Sequence, residues 1–115
     1  MKNHNKYEID WVGFPQTHRK VCGVYMIGPS IYVGASSHIR SRILQHIHDS
    51  CRMAHINTDV QEYILVQIEM GYPVLVTLLN TDPFMELEVK KNMGLPIKPR
   101  ERHYHQNYSK PLVRS

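Results

Sequence analysis

The chain has 115 residues, enough for one domain; 42% are hydrophobic and 21% charged, the composition of a globular fold rather than a disordered chain. Fourteen Lys and Arg against ten Asp and Glu leave a net charge of +4, which favours an acidic partner, nucleic acid first. The opening residues Met1 to Lys6 hold no apolar signal-peptide core, Pro73 to Leu79 is too short to cross a bilayer, and Cys22 and Cys51 form no CxxC pair. A reducing, cytoplasmic setting is therefore expected, without a transmembrane segment, a disulfide scaffold or a zinc ribbon.

In chain order, residues 1–20 read as an N-terminal arm in which Trp11-Val12-Gly13-Phe14-Pro15 packs irregularly on the domain. Val21–Ile27 and Ile31–Val33 are short β-rich runs around Gly28-Pro29-Ser30, a tight hairpin signal. Gly34-Ala35-Ser36-Ser37 leads into a helix running to about Ser50, with Ser36 or Ser37 as N-cap. Its Ile39, Ile43 and Ile47 recur at helical spacing on one face. Asn57-Thr58-Asp59 caps a second helix over 59–70, ended by Gly71. Pro73–Leu79 reads as a buried central strand. Thr81-Asp82-Pro83 opens a third helix that ends near Gly94. The expected fold is α+β: a small three-stranded, mainly antiparallel sheet flanked by helices, in the order β-β-α-α-β-α. The arm 1–20, a core over 21–94 and a basic tail over 95–115 make one domain.

Charge is unevenly laid out. Residues 1–56 carry seven bases and three acids; residues 57–88 carry six acids and no Lys or Arg; residues 89–115 carry seven bases and one acid. In the tail, Lys98, Arg100 and Arg102 precede His103, Tyr104, His105, Asn107 and Tyr108. Bases interleaved with aromatics suit a phosphate backbone with exposed bases. The two basic ends are expected to line one DNA-facing surface, with the acidic middle turned away.

The chemistry-bearing residues are Gly23-Val24-Tyr25, Ile31-Tyr32-Val33-Gly34, Arg42 and His46. Tyr25 and Tyr32 are seven positions apart, so any hairpin loop of even length puts both phenols on one face of the sheet, directly opposite or diagonal. Arg42 and His46, at i and i+4, stack at the edge of the Ile39/Ile43 stripe, where they can face the sheet. Arg40 points elsewhere and reads as a solvent or phosphate contact. On the third helix Phe84, Met85, Leu87 and Val89 define an apolar side with Glu88 in its middle and Glu86 nearly opposite. A carboxylate aimed at a core needs a cation, either a metal or Arg42. His46 and His48 diverge by about 200° on a helix and do not share a metal.

The ordered set Gly23-Val24-Tyr25, Tyr32-Val33-Gly34, Arg42, His46 and Glu88 resembles the GIY-YIG nuclease superfamily, over residues 21–93. The Arg comes ten residues after the second Tyr and the His four after that. The resemblance implies a DNA endonuclease that hydrolyses phosphodiester bonds with one Mg²⁺ or Mn²⁺, held by Glu88. It further implies that Tyr25 helps deprotonate the attacking water and Tyr32 orients water or phosphate. Arg42 would stabilise charge on the phosphate, and His46 would support the nucleophile. An unperturbed tyrosine is a poor base at neutral pH, and Arg42 with the metal would favour its phenolate. Two departures are visible: the tyrosines lie closer together than in most members, and the Asn that completes the family's site has only Asn107, later than expected. With one site per chain, a double-strand break needs a homodimer, a higher homo-oligomer or sequential nicks. The alternatives are a non-catalytic nucleic-acid-binding module on the same fold and an adaptor that docks through the basic tail.

Overall fold

The computed structural model describes residues 6–16 and 20–95. They form β1 (Ile9–Val12), β2 (Gly23–Ile27), β3 (Tyr32–Ser36), α1 (Ile39–Cys51), α2 (Thr58–Met70), β4 (Val74–Asn80) and α3 (Glu86–Asn92), with a 3-10 turn over Pro83–Met85 leading into α3. The class is α+β, and from β2 onward the element order agrees with the sequence reading. The sheet differs: it has four strands and is mixed, in the order β1-β4-β2-β3. The additional strand comes from the arm. In Ile9-Asp10-Trp11-Val12, half-buried Ile9 and Trp11 alternate with exposed Asp10 and Val12. This strand lies parallel to β4, from Ile9 opposite Val74 to Val12 opposite Thr77. Four alternating residues are a faint signal, and the partner that gives them meaning lies far along the chain.

The β2–β3 hairpin closes through Gly28–Ile31, a loop of even length, with Ile27 opposite Tyr32 and Tyr25 opposite Gly34. The backbone N–H of Ile31 donates to the Ile27 carbonyl at 3.2 Å. On its other edge β2 pairs antiparallel with β4, with an irregularity between Val24 and Tyr25. Gly23 begins β2 at φ 146°, and a Cβ there would run into the Asn80 carbonyl. The first glycine of the hairpin motif is thus required by the close approach of β4.

The helix ends show which local signals are used. The N-cap of α1 is His38, whose side chain makes no cap bond, rather than Ser36 or Ser37. Ser36 Oγ accepts the His38 N–H at 2.9 Å, and the Ile39 N–H donates to the Val21 carbonyl at 2.8 Å. The start of α1 is therefore tied to Val21, two residues before β2, rather than to its own serine. α2 is capped as expected: the Asn57 side chain accepts from the Asp59 and Val60 N–H groups, and Gly71 ends the helix. Before α3, the Asp82 carboxylate accepts the Phe84 N–H at 3.0 Å, beside Pro83.

The core lies between one face of the sheet and the α1–α2 pair. Tyr25, Ile27, Val74 and Val76 meet Ile39, Ile43 and Ile47 of α1 and Val60, Ile64 and Ile68 of α2. Each fully buried aliphatic side chain contributes about 1.5–3 kcal/mol of transfer free energy. Tyr25 belongs to this cluster, so the residue singled out for chemistry is also a core residue. Among the described residues no helix is long and apolar enough to cross a membrane.

Candidate active site

The site is built where β2 and β3 meet α1. The register makes Tyr25 and Tyr32 diagonal neighbours on one face, with ring centroids 6.2 Å apart. The His46 ring lies 6.0 Å from the first and 5.4 Å from the second. Tyr25 is 1% exposed and His46 4%; Tyr32 is half-buried and Arg42 exposed. Gly34, across the strand pair from Tyr25, leaves the room that the phenols occupy. A Cβ there would fall 2.7 Å from Tyr32 Cε2 and 2.9 Å from Tyr25 Oη.

The Tyr25 hydroxyl is 2.9 Å from His46 Nε2, and the Arg42 guanidinium is near enough for its charge to act on it. Burial, with Tyr32 beside it, raises the Tyr25 pKa; Arg42 pulls it down through its charge but does not prevail, and Glu86 raises it further. Tyr25 is therefore a neutral phenol in this structure. The expected pull of Arg42 toward the phenolate exists but is smaller than the desolvation opposing it. His46 is pushed down to about 3 by burial first, then by the Arg42 and His55 charges, with Asp49 acting the other way. It is a neutral imidazole at physiological pH.

The third helix requires a correction. Glu88 is exposed, whereas Glu86 is buried at 8% exposure. Glu86 is also near enough for its charge to act on Tyr25. The wheel drawn from Phe84 and Met85 has the wrong phase, because those residues sit in the 3-10 turn and are 56% and 36% exposed. The turn advances about 120° per residue, not 100°. The α-helical part has seven residues, too few for apolar spacing alone to settle its buried side. Its buried pair is instead polar: Lys90 Nζ lies 3.2 Å from Glu86 Oε2, one turn on. The i, i+4 spacing of Glu86 and Lys90 was the available sequence signal.

Arg40 is also not where the sequence reading put it. Its guanidinium stands 4.9 Å from the Trp11 ring centroid and 5.6 Å from that of Phe14. One of its terminal nitrogens donates to the Pro15 carbonyl at 2.9 Å. Arg40 pins the arm to α1 through cation–π contacts and a hydrogen bond, so its charge is engaged internally. Lys98, Arg100, Arg102 and Asn107 lie outside the described residues, as does the tail surface they were expected to form. Cys22 is exposed and Cys51 half-buried; both are free thiols. His48 is exposed and faces Arg52, apart from His46.

The sequence reading missed His55, in the loop joining α1 to α2. Its Nε2 is 2.6 Å from His46 Nδ1, with the two rings edge to edge, their centroids 4.9 Å apart and 23° between planes. A histidine in a connecting loop carries no periodic signal; the α1–α2 hairpin alone brings it to the site.

Compared with known protein families, curated proteins and solved structures, the chain matches none. The site must therefore be read from its own chemistry.

Among the described residues no three His, Cys, Asp or Glu side chains gather as a metal cage. A hard divalent ion that keeps most of its waters asks for less: one or two carboxylates together with substrate phosphate oxygens. Glu86, a buried carboxylate acting on the Tyr25 phenol, fits that donor requirement, though it shares its charge with Lys90. What the cluster offers chemically is a buried phenol oxygen hydrogen-bonded to His46, an exposed guanidinium whose charge acts on it, and a second phenol on the same face.

Proposed function

We propose that this chain is a DNA endonuclease that hydrolyses phosphodiester bonds, with Tyr25, Tyr32, Arg42, His46 and Glu86 as its working residues. The observation that carries this reading is the convergence on the Tyr25 oxygen: His46 at 2.9 Å, the Arg42 charge acting on it, and Tyr32 on the same face. The set agrees with the resemblance drawn from the sequence in every member except the acid, which moves from Glu88 to Glu86.

Phosphodiester hydrolysis needs a water delivered in line, a place for its proton and positive charge on the phosphate oxygens. Arg42 is exposed, so its guanidinium can grip a phosphate while its charge acts on Tyr25; its planar fork suits a bidentate grip that Lys would not reproduce. His46 and the Arg42 charge lower the cost of negative charge on Tyr25 Oη when the phenol passes its proton to the departing oxygen of the phosphodiester, the proton of the attacking water going to solvent. Tyr32, less buried, is placed to orient the water or the phosphate. Glu86 would hold a Mg²⁺ or Mn²⁺, which when bound supplies charge neutralisation on the phosphate and a more acidic water.

The test is conversion of supercoiled plasmid to nicked and linear forms with Mg²⁺ or Mn²⁺, and with chelator as control. Tyr25→Phe and Glu86→Gln are expected to abolish nicking while Glu88→Gln retains it. Parent-like nicking by both Tyr25→Phe and Glu86→Gln would overturn the assignment. The second reading, nucleic-acid binding without cleavage, draws on Lys90 occupying Glu86 and on burial keeping Tyr25 a neutral phenol. Salt-sensitive DNA binding with no cutting under any divalent ion would establish it.

A further inference from the structure

We propose that His55 is a positioning residue that fixes the tautomer of His46, so that His46 donates to the Tyr25 oxygen and leaves the phenol's own proton directed at the substrate. The functional half of this inference rests on the nuclease reading; the tautomer half stands on geometry alone.

The backbone N–H of Asn57 can only donate, and it lies 2.9 Å from His55 Nδ1. That nitrogen therefore carries no proton, and His55 holds its hydrogen on Nε2. An imidazolium at His55 would set a second N–H against the Asn57 N–H, so the contact also selects the neutral ring. His55 Nε2 is 2.6 Å from His46 Nδ1. Only one proton fits between them, and it belongs to His55, so His46 Nδ1 accepts. Neutral His46 then carries its hydrogen on Nε2, 2.9 Å from Tyr25 Oη. Three hydrogen bonds thus run in one direction, from the backbone before α2 to the phenol oxygen.

The anchor is firm because Asn57 is the N-cap of α2, its side chain accepting from Asp59 and Val60. The His55 N–H donates to Gln61 Oε1 at 3.0 Å, holding the loop from the same helix. The charged groups bearing on the two rings are Arg42, which disfavours protonation of both, and Asp49, which favours it.

The direction of the relay decides what Tyr25 offers. Were His46 in the other tautomer, its bare Nε2 would accept the Tyr25 O–H and occupy that proton. In the observed order Tyr25 Oη accepts from His46, with the Arg42 charge acting on it as well, and its own O–H must point away from both, toward whatever enters the site. Sequence spacing could not show this, because the relay is set by a backbone amide.

The experiment is long-range ¹H–¹⁵N NMR of the imidazole nitrogens in the full ¹⁵N-histidine-labelled chain at neutral pH, without DNA or metal, beside plasmid nicking with Mg²⁺. Signals of His46 and His55 are assigned by His46→Gln and His55→Gln. Both rings are expected as the Nε2–H tautomer. In His55→Ala, His46 is expected to shift toward the Nδ1–H form, with kcat for nicking falling about tenfold or more and KM changing little. His55→Gln, whose amide N–H can donate to His46, is expected to restore the Nε2–H form and most of kcat. An Nδ1–H His46 in the unaltered chain, or a His46 tautomer indifferent to His55→Ala, overturns the proposal. Expected tautomers in a chain that never cuts DNA support the relay and count against the nuclease reading instead.

Discussion

Replacing Gly34 with alanine probes the site through packing. The added Cβ would lie 2.7 Å from Tyr32 Cε2, 2.9 Å from Tyr25 Oη and 3.0 Å from Tyr25 Cζ, where ordinary contact begins at 3.4 Å. The shortfall is 0.4–0.7 Å on three atoms. Tyr25 is 1% exposed and held within the core, so Tyr32, which is half-buried, has to give way. Overpacking of this kind costs about 1–3 kcal/mol, less about 0.5–1 kcal/mol gained by removing a glycine from a strand. The net loss, about 1.25 kcal/mol at the midpoints of these ranges, lowers Tm by roughly 5–10 °C for a domain of this size. Thermal unfolding followed by circular dichroism measures it. Because the shortest of these contacts is with the Tyr32 ring, Tyr32→Ala in the Gly34→Ala background is expected to recover part of the loss, a coupling that a double-mutant cycle isolates. A Gly34→Ala chain that melts within 2 °C of the parent, at roughly the assay's precision, and keeps its nicking rate would refute the reasoning that this glycine makes room for the phenols.

Glu86→Gln and Glu88→Gln should separate sharply, the first losing metal-dependent cleavage by on the order of 100-fold or more and the second staying within about threefold; plasmid nicking rates decide it, and the reverse ranking would return the role to Glu88. His46, held at about 3 against an ordinary 6.5, stays neutral in the fold while the unfolded chain takes up a proton. Its contribution is therefore complete above about pH 6.5 and is lost as the pH falls toward 3, by on the order of a few kcal/mol. Urea midpoints at pH 7.5 and pH 5 test this, and equal stability at both would contradict it. Arg40→Ala should cost about 1–2 kcal/mol through the lost Trp11, Phe14 and Pro15 contacts, with the salt dependence of DNA binding unchanged; a shallower salt slope at unchanged stability would mean that Arg40 meets phosphate after all.

Much of the site was legible before the fold. The odd separation of Tyr25 and Tyr32 places both phenols on one face for any even loop, and the register realises the diagonal form. The spacing of Arg42 and His46 is enough to turn them together toward that face, and the caps Asn57 and Asp82 begin their elements where expected. These features follow from local rules: a period of two in a strand, 3.6 in a helix, and side chains that satisfy the first free N–H groups.

What the chain alone did not disclose depends on partners distant in sequence. Ile9–Val12 becomes a strand only because β4 offers an edge to it. Arg40 looks like a phosphate contact until Trp11 and Phe14 fold over it. Glu86 and Glu88 exchange roles because a 3-10 turn resets the phase of a short helix and Lys90 makes burial of a carboxylate tolerable. The basic ends, read from the sequence as one surface, are answered only in part: Arg42 is exposed at the site, Lys90 is buried beside Glu86, and the tail lies outside the described residues. Residue types and their spacing determine which groups can share a face. Which of them are buried, paired or left to act is decided when separate elements close around them, since burial and hydrogen-bond direction belong to the assembled packing and not to any one segment.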